Sequence, residues 1–348
     1  MNLTAVGVNA AERAPLPDAV TRLGVGYLVR RARHSLEAAC PSLDRQFAAA
    51  MTARPIAEHT AAANAQHYEL PAAFFRQVLG PRLKYSSGWY EHADTTLQEA
   101  EEAALACTCA NAGLEDGQRI LELGCGWGSL SLWMAAAYPR STITAVSNSS
   151  SQKAAIDGLA AERGLPNLEV VTADMNDFHA EGRFDRVVSV EMFEHMSNWR
   201  ELLSRIAGWL TAEGRLFLHV FTHQGAPYRF EASDPADWIG RHFFTGGIMP
   251  SHGLIRQFPD LFEVEREWRW SGAHYARTAR DWLANFDRNQ AAVDAVLGDV
   301  HGSAARLWKR RWRLFFLATA GLFGEGGGKV WGVSHYRLRA VRPRSRRI

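Results

Sequence analysis

Cysteine is scarce in this chain, and neither sign of charge is in surplus. The four cysteines, Cys40, Cys107, Cys109 and Cys125, contain no CxxC pair and no metal-ligand spacing. That excludes a disulfide scaffold and a zinc ribbon, and a reduced, cytoplasmic setting is expected. Lys and Arg number 39 against 37 Asp and Glu, which leaves no basic footprint for a nucleic-acid partner. The longest apolar run, Leu314 to Phe323, falls far short of the roughly 20 residues of a bilayer-spanning helix. The first residues lack a charged-then-apolar signal pattern, since Glu12 interrupts them early. No internal repeat is visible.

What the chain has in quantity is apolar and aromatic material: 47% hydrophobic residues, with 12 Trp and 17 Phe. This is enough for one large core and an aromatic-lined pocket. The stretch Ile120-Leu-Glu-Leu-Gly-Cys-Gly-Trp-Gly128 organises the rest. A short β-type run ends in Glu122, three glycines alternate, and an apolar helix-like run follows from Leu130. A doubly wound α/β sheet builds its nucleotide site with this strand, glycine turn and helix. A dinucleotide fingerprint would need a third glycine at position 129, which is Ser129. Glu122 would repel a pyrophosphate and attract the ammonium of a methionine moiety. The spacing therefore favours S-adenosyl-L-methionine (SAM) over NAD.

Four segments are expected. Residues 1–58 read as a flexible leader followed by helical extension from Asp18 to about Ala53, with a basic cluster at Arg30, Arg31, Arg33 and His34. Residues 59–222 hold a helical lid segment and the SAM-binding core. Two helices are read from His59 to Phe75, then the aromatic loop from Leu83 to Tyr90 and a helix from Thr95 to Asn111. Strands are expected near Ile120–Glu122, Thr142–Ser147, Leu168–Thr172, Phe184–Val190 and Leu216–Phe221, alternating with helices as in a parallel sheet. Residues 223–329 read as mostly helical cap insertions around a sixth strand, Phe262–Trp270. Residues 330–348 hold a final strand and a basic tail.

Strand ends supply the candidate chemistry. Gly124, Gly126 and Trp127 follow the first strand, Asn148 and Gln152 the second, and Asp174 with Met175 the third. The amides suit ribose hydroxyls and Asp174 an adenine amino group. After the fourth strand come Glu191, Glu194 and His195, two carboxylates and an imidazole within five residues, a set suited to removing a proton. An alkylamine with a pKa near ~10 is neutral in only about one molecule per thousand at pH 7. A positioned base therefore offsets roughly 4 kcal/mol. His219 and His223 lack further ligands for a metal, and none is expected. Phe230, Trp238, Phe243, Phe244, Met249, His274 and Tyr275 from the cap, with Ser87, Trp89, His219 and Phe221, are the candidate acceptor-binding residues.

These motifs resemble those of the cyclopropane fatty acid synthase superfamily of SAM-dependent methyltransferases, and within it the coclaurine N-methyltransferase branch. The resemblance runs from about His59 to Leu338. It is carried by Lys84-Tyr-Ser-Ser87, the glycine motif Leu121 to Leu130, Glu191-Met-Phe-Glu-His-Met196, Phe243-Phe-Thr-Gly-Gly-Ile-Met-Pro-Ser251 and His274-Tyr-Ala-Arg-Thr278. It implies a Rossmann-like methyltransferase sheet in which Tyr85 and Ser86 also reach the cofactor. It further implies methylation of a small tetrahydroisoquinoline- or phenethylamine-like amine, with S-adenosyl-L-homocysteine (SAH) as product. Glu194 and His195 would be the base, and Glu191 would steer the ammonium.

The lipid-modifying branch has Cys where this chain has Ser87 and Gly where it has Glu191. Its Cys helps to hold a bicarbonate base, and the other bicarbonate positions correspond to Glu194, His219 and Tyr275. Methyl or methylene transfer to unsaturated phospholipid chains is therefore the alternative, with bicarbonate and a membrane surface as its partners. A non-catalytic SAM-binding protein is a second alternative. A homodimer stays open.

Overall fold

The computed structural model describes residues 12–13, 16–37, 42–58, 70–234 and 237–342. Most of the leader, the stretch 59–69 that includes the first helix expected after His59, and the basic tail from 343 onward lie outside the described residues.

Seven strands form one sheet: β1 (Arg119–Leu123), β2 (Thr142–Ser147), β3 (Leu168–Thr172), β4 (Phe184–Val190), β5 (Leu210–His223), β8 (Phe262–Ser271) and β9 (Trp331–Ala340). The order is β3-β2-β1-β4-β5-β9-β8, and a separate pair joins β6 (Tyr228–Arg229) to β7 (Ile248–Met249). The first five strands are parallel. β1 and β4 are short, mostly apolar runs whose side chains are buried on both faces, as strands covered by helices on either side require.

The purely parallel reading needs a correction at one edge. β9 runs antiparallel to both β5 and β8. The reason lies in the cap: the chain leaves the sheet at Ser271 and returns at Trp331, and Ser271 pairs with Gly332 as His223 pairs with Trp331. Departure and return share the carboxyl edge, so the returning strand can only run backwards. β5 also begins at Leu210, earlier than the expected Leu216, with a register shift opposite Phe184 and Arg186.

The expected helix over 18–53 resolves into α1 (Asp18–Glu37) and α2 (Leu43–Met51), and α3 (Ala72–Val78) follows. Next comes α4 (Leu97–Ala112), which starts at a Thr96/Glu99 capping box and ends at left-handed Gly113. The core helices are α5 (Ser129–Ala137), α6 (Ser150–Glu162) and α7 (Trp199–Trp209). The cap contains short α8 (Trp238–His242), then α9 (Gly272–Arg288), α10 (Gln290–His301) and α11 (Ala305–Gly324). Phe74, Phe75, Trp282, Phe286, Trp312 and Phe316 are fully buried and make the cap and lid one apolar body. Arg313 binds Asp287 at 2.8 Å and also Asp18, tying α11 to α9 and α1. No helix among the described residues is long and apolar enough to cross a membrane.

Gly272 is the joint between sheet and cap. A Cβ there would drive into the carbonyl oxygens of Trp331 and Phe323. Gly272→Ala is expected to destabilise the protein by about 1–3 kcal/mol. Chemical denaturation measures this, and an unchanged midpoint would show that the joint yields.

Candidate active site

Strand order reverses between β1 and β4, so the crevice of this sheet opens between their carboxyl ends. β1 runs into Gly124, with φ +81°, where a Cβ would lie 2.5 Å from Cγ of Met192 on the turn after β4. Glycine thus lets the two turns close on each other. Gly126, at φ +51°, meets nothing within 4 Å, so its backbone borders open space.

That space is a cavity of about 180 Å³, and a smaller one of about 70 Å³ shares Gly124, Gly126, Gln152, Met192 and His195 with it. All ten expected cofactor residues line one or both. Tyr85, Ser86, Glu122, Gly124, Gly126, Trp127 and Gln152 line the larger cavity; Asn148, Gln152, Asp174 and Met175 line the smaller. Nε2 of Gln152 and Nε1 of Trp127 are buried with no hydrogen-bond partner, which leaves donors for a polar ligand. Ser147 Oγ donates to Gln152 Oε1 at 2.6 Å and fixes which end of the amide is offered. Glu122 accepts from Ser131 Oγ at 2.5 Å, and burial pushes its carboxyl up to about 7. Oδ1 of Asp174 accepts from the Asn176 N–H at 2.8 Å, so part of this carboxylate shapes its own turn.

Glu191 stands at the other wall. It is one of two described non-glycine residues with left-handed backbone, at φ +49°; the other is Leu83 at +53°. Such a conformation costs of order 1–3 kcal/mol and persists where the surroundings fix it. Here they do. Oε1 accepts from the Ser87 N–H at 3.1 Å and lies 3.1 Å from Nε2 of His219, and Oε2 accepts from Tyr275 Oη at 2.6 Å. Burial raises the Glu191 carboxyl above its ordinary value, while the Lys84 ammonium, Tyr275 and the Ser87 amide pull it back.

Glu194 behaves differently. Its Oε1 accepts from the Phe221 N–H at 2.6 Å, and its Oε2 is buried without a partner. Burial, then the charge of Glu191, drives its carboxyl well above the ordinary value. It does not line the cavity; His195 does, tilted against Phe244 at 4.4 Å between ring centroids. Successive residues of the 3₁₀ turn Phe193–His195 thus project to different places, and the expected Glu194–His195 pair is divided between the wall and the interior.

Of the expected acceptor-binding residues, Phe221, Phe230, Phe244, Met249 and Tyr275 line the larger cavity. Ser87 and His219 sit behind Glu191. Trp89 stacks on His274, whose Nδ1 accepts from the Tyr90 N–H. Trp238 packs on Phe243, and Phe243 stacks on Phe315. These aromatics build the walls that hold the lining residues. α9 clamps the aromatic loop: Thr278 Oγ1 accepts from Gly88 N–H, and Arg277 donates to the carbonyls of His92 and Thr95.

Sequence reasoning missed Lys84 and the α11 face, where Phe315, Thr319, Leu322 and Phe323 complete the apolar lining. Lys84 is buried, donating to Ser86 Oγ at 2.5 Å and to the Ser87 carbonyl at 2.7 Å. Glu101 holds the same loop by accepting from the N–H groups of Gly80 and Arg82. A lysine between Leu83 and Tyr85 in an aromatic loop was the available signal. Burial lowers the Lys84 ammonium from its ordinary 10.5 to about 8, against the pull of Glu191 and Glu101. Between these values the unfolded chain binds the extra proton, so stability rises with pH across that window. Lys84→Met is expected to abolish this rise, worth up to roughly 3 kcal/mol. Denaturation curves across the window decide; coincident pH dependence in the two proteins would contradict it.

Comparison with known proteins agrees with this geometry. Residues 57–333 match the mycolic acid cyclopropane synthetase family. (S)-coclaurine N-methyltransferase of Thalictrum flavum subsp. glaucum is 36% identical over 275 residues, 78% of this chain and 76% of that protein. Cyclopropane-fatty-acyl-phospholipid synthase of Escherichia coli (strain K12) is 30% identical over 272 residues, 77% of this chain and 66% of that protein. The crystal structure of coclaurine N-methyltransferase bound to N-methylheliamine and SAH superposes with a TM-score of 0.89 at 32% identity. It covers 95% of this chain and 98% of its own. A cyclopropane synthase from Mycobacterium tuberculosis gives 0.69 at 26% identity, covering 82% and 99%. The chain belongs to the mycolic acid cyclopropane synthetase family and is a SAM-dependent methyltransferase.

Proposed function

We propose that this enzyme methylates the nitrogen of a small, partly aromatic amine, and that Glu191 receives the ammonium. One observation carries the reading: a buried carboxylate, fixed by three hydrogen-bond partners, faces an apolar cavity directly beside the glycine turn. A cation is what such a group would bind, and aromatic walls suit the rest of the acceptor.

Held along Gly124 and Gly126, with Gln152 and Asn148 at the ribose and Asp174 and Met175 at the adenine, SAM supplies an electrophilic sulfonium methyl. Glu122 faces its amino-acid end. Glu191 attracts the protonated amine and, with His195 on the same cavity, takes the proton so that the nitrogen lone pair is released. Glu194 stays neutral beneath them and supports the turn through Phe221. Phe221, Phe230, Phe244 and Phe323 exclude water and align the nitrogen with the methyl, where in-line displacement needs mainly orientation.

The same carboxylate argues against acyl-chain modification. Ser87, His219 and Tyr275 correspond to positions that hold bicarbonate in the lipid-modifying branch, and here all three are bonded to Glu191. The (S)-coclaurine N-methyltransferases and the structure with bound N-methylheliamine support an amine acceptor.

Methyl-labelled SAM offered with phenethylamines and tetrahydroisoquinolines, and in parallel with unsaturated phospholipid vesicles, tests the acceptor. Label is expected on an amine and absent from lipid; label in lipid alone would overturn the reading. Glu191→Gln should lower kcat/KM for the amine at least roughly a hundredfold with little change in SAM affinity. Unaltered amine kinetics would remove Glu191 from the mechanism.

A further inference from the structure

Behind Glu191 a line of hydrogen bonds runs through His219 and His335 to Asn111 on α4. His219 on β5 is paired in register with His335 on β9, so antiparallel β9 brings the two imidazoles onto one face. Their rings meet with His335 Nε2 2.8 Å from His219 Nδ1. Asn111, in the last turn of α4, places Nδ2 3.0 Å from His335 Nδ1. The other end of the line is His219 Nε2, 3.1 Å from Glu191 Oε1.

Only one set of proton positions satisfies these contacts with neutral rings. An amide nitrogen donates and never accepts, so His335 Nδ1 must be bare. The His335 proton is then on Nε2, which makes His219 Nδ1 the acceptor. The His219 proton is in turn on Nε2, aimed at the Glu191 carboxylate. Burial drives both imidazoles well below their ordinary range, helped by the Lys84 charge, so neither carries a second proton. The rings of Trp270 and Phe217 cover the pair on its remaining sides.

We infer that the side-chain amide of Asn111 sets the direction of this relay and is a positioning residue for Glu191, acting through His335 and His219. The inference rests on the proposed role of Glu191. Reversing the relay would turn a bare His219 nitrogen toward the carboxylate, which would then lose a donor and keep its own proton to higher pH. The other groups acting on Glu191 are the Lys84 ammonium, the Tyr275 hydroxyl, the Ser87 amide and, as a repelling neighbour, Glu194. None of these four is hydrogen-bonded to His335, so Asn111 offers a separate handle.

Asn111→Asp keeps the shape of the side chain and replaces the donor by an acceptor. Two-bond proton–nitrogen NMR of histidine-labelled protein reads the tautomers directly. The wild type is expected to carry both protons on Nε2, and Asn111→Asp to move both to Nδ1. Nδ1–H on either ring of the wild type would overturn the relay whatever the enzyme's acceptor proves to be. In the same variant the acid limb of kcat/KM for the amine should move up by about one pH unit, roughly a tenfold loss below it. SAM affinity should hold. Switched tautomers with an unmoved acid limb, or a loss that follows SAM affinity instead of pH, would overturn the positioning role.

Discussion

The proposed catalytic edge of this protein depends on one carboxyl group, Glu191, held out of water among hydrogen-bond partners. Desolvating such a group costs several kcal/mol unless its charge is met by donors. For Glu191 the partners come from three separate pieces of chain: the aromatic loop through Ser87, β5 through His219 and α9 through Tyr275, with the Lys84 charge nearby. The strain and the burial are tolerated because the same contacts fix the relative positions of sheet, loop and cap. Glu194, three residues on, gets one backbone N–H and is pushed toward its neutral form. Two carboxyls of one short turn thus differ in how many partners meet them, and burial raises Glu194 further than Glu191.

The architecture supplies those partners. The five parallel strands create a switch point where the glycine turn and the Glu191 turn lie side by side, with Gly124 allowing them to touch Met192 to backbone. The cap leaves and rejoins the sheet at that same edge. Its return inserts β9 beside β5, puts His335 opposite His219, and brings α9 down onto the aromatic loop. The residues proposed for cofactor and for acceptor thus line adjoining parts of one crevice, and the cap supplies much of the second part.

The residues proposed for the cofactor were legible in sequence as neighbours of one cavity because their signals are local. A strand, a glycine turn and a helix are contiguous in the chain, and Asn148, Gln152, Asp174 and Met175 each follow a strand directly, so placing the strands placed the residues. The acceptor half depends on which elements meet, and aromatic residue types do not say which of them face inward. Trp89, Trp238, Phe243 and His274 are wall and core, whereas Phe315 and Phe323 on α11 face the cavity. Adjacent Glu194 and His195 read as a pair in one dimension, but a 3₁₀ turn separates them. Lys84 looks like an ordinary surface charge until Glu101 and the cap enclose it. The antiparallel β9, and with it the histidine pair, follows from where the cap rejoins the sheet, which no local pattern encodes.

The proposed mechanism needs Glu191 charged and Glu194 neutral, and infrared spectroscopy reads this difference most directly. Protonated carboxyls absorb apart from carboxylates, and difference spectra against Glu194→Gln and Glu191→Gln assign the bands to single residues. At neutral pH Glu194→Gln is expected to remove a protonated-carboxyl band and Glu191→Gln a carboxylate band. The reverse assignment, or a carboxylate signal from both residues, would contradict it.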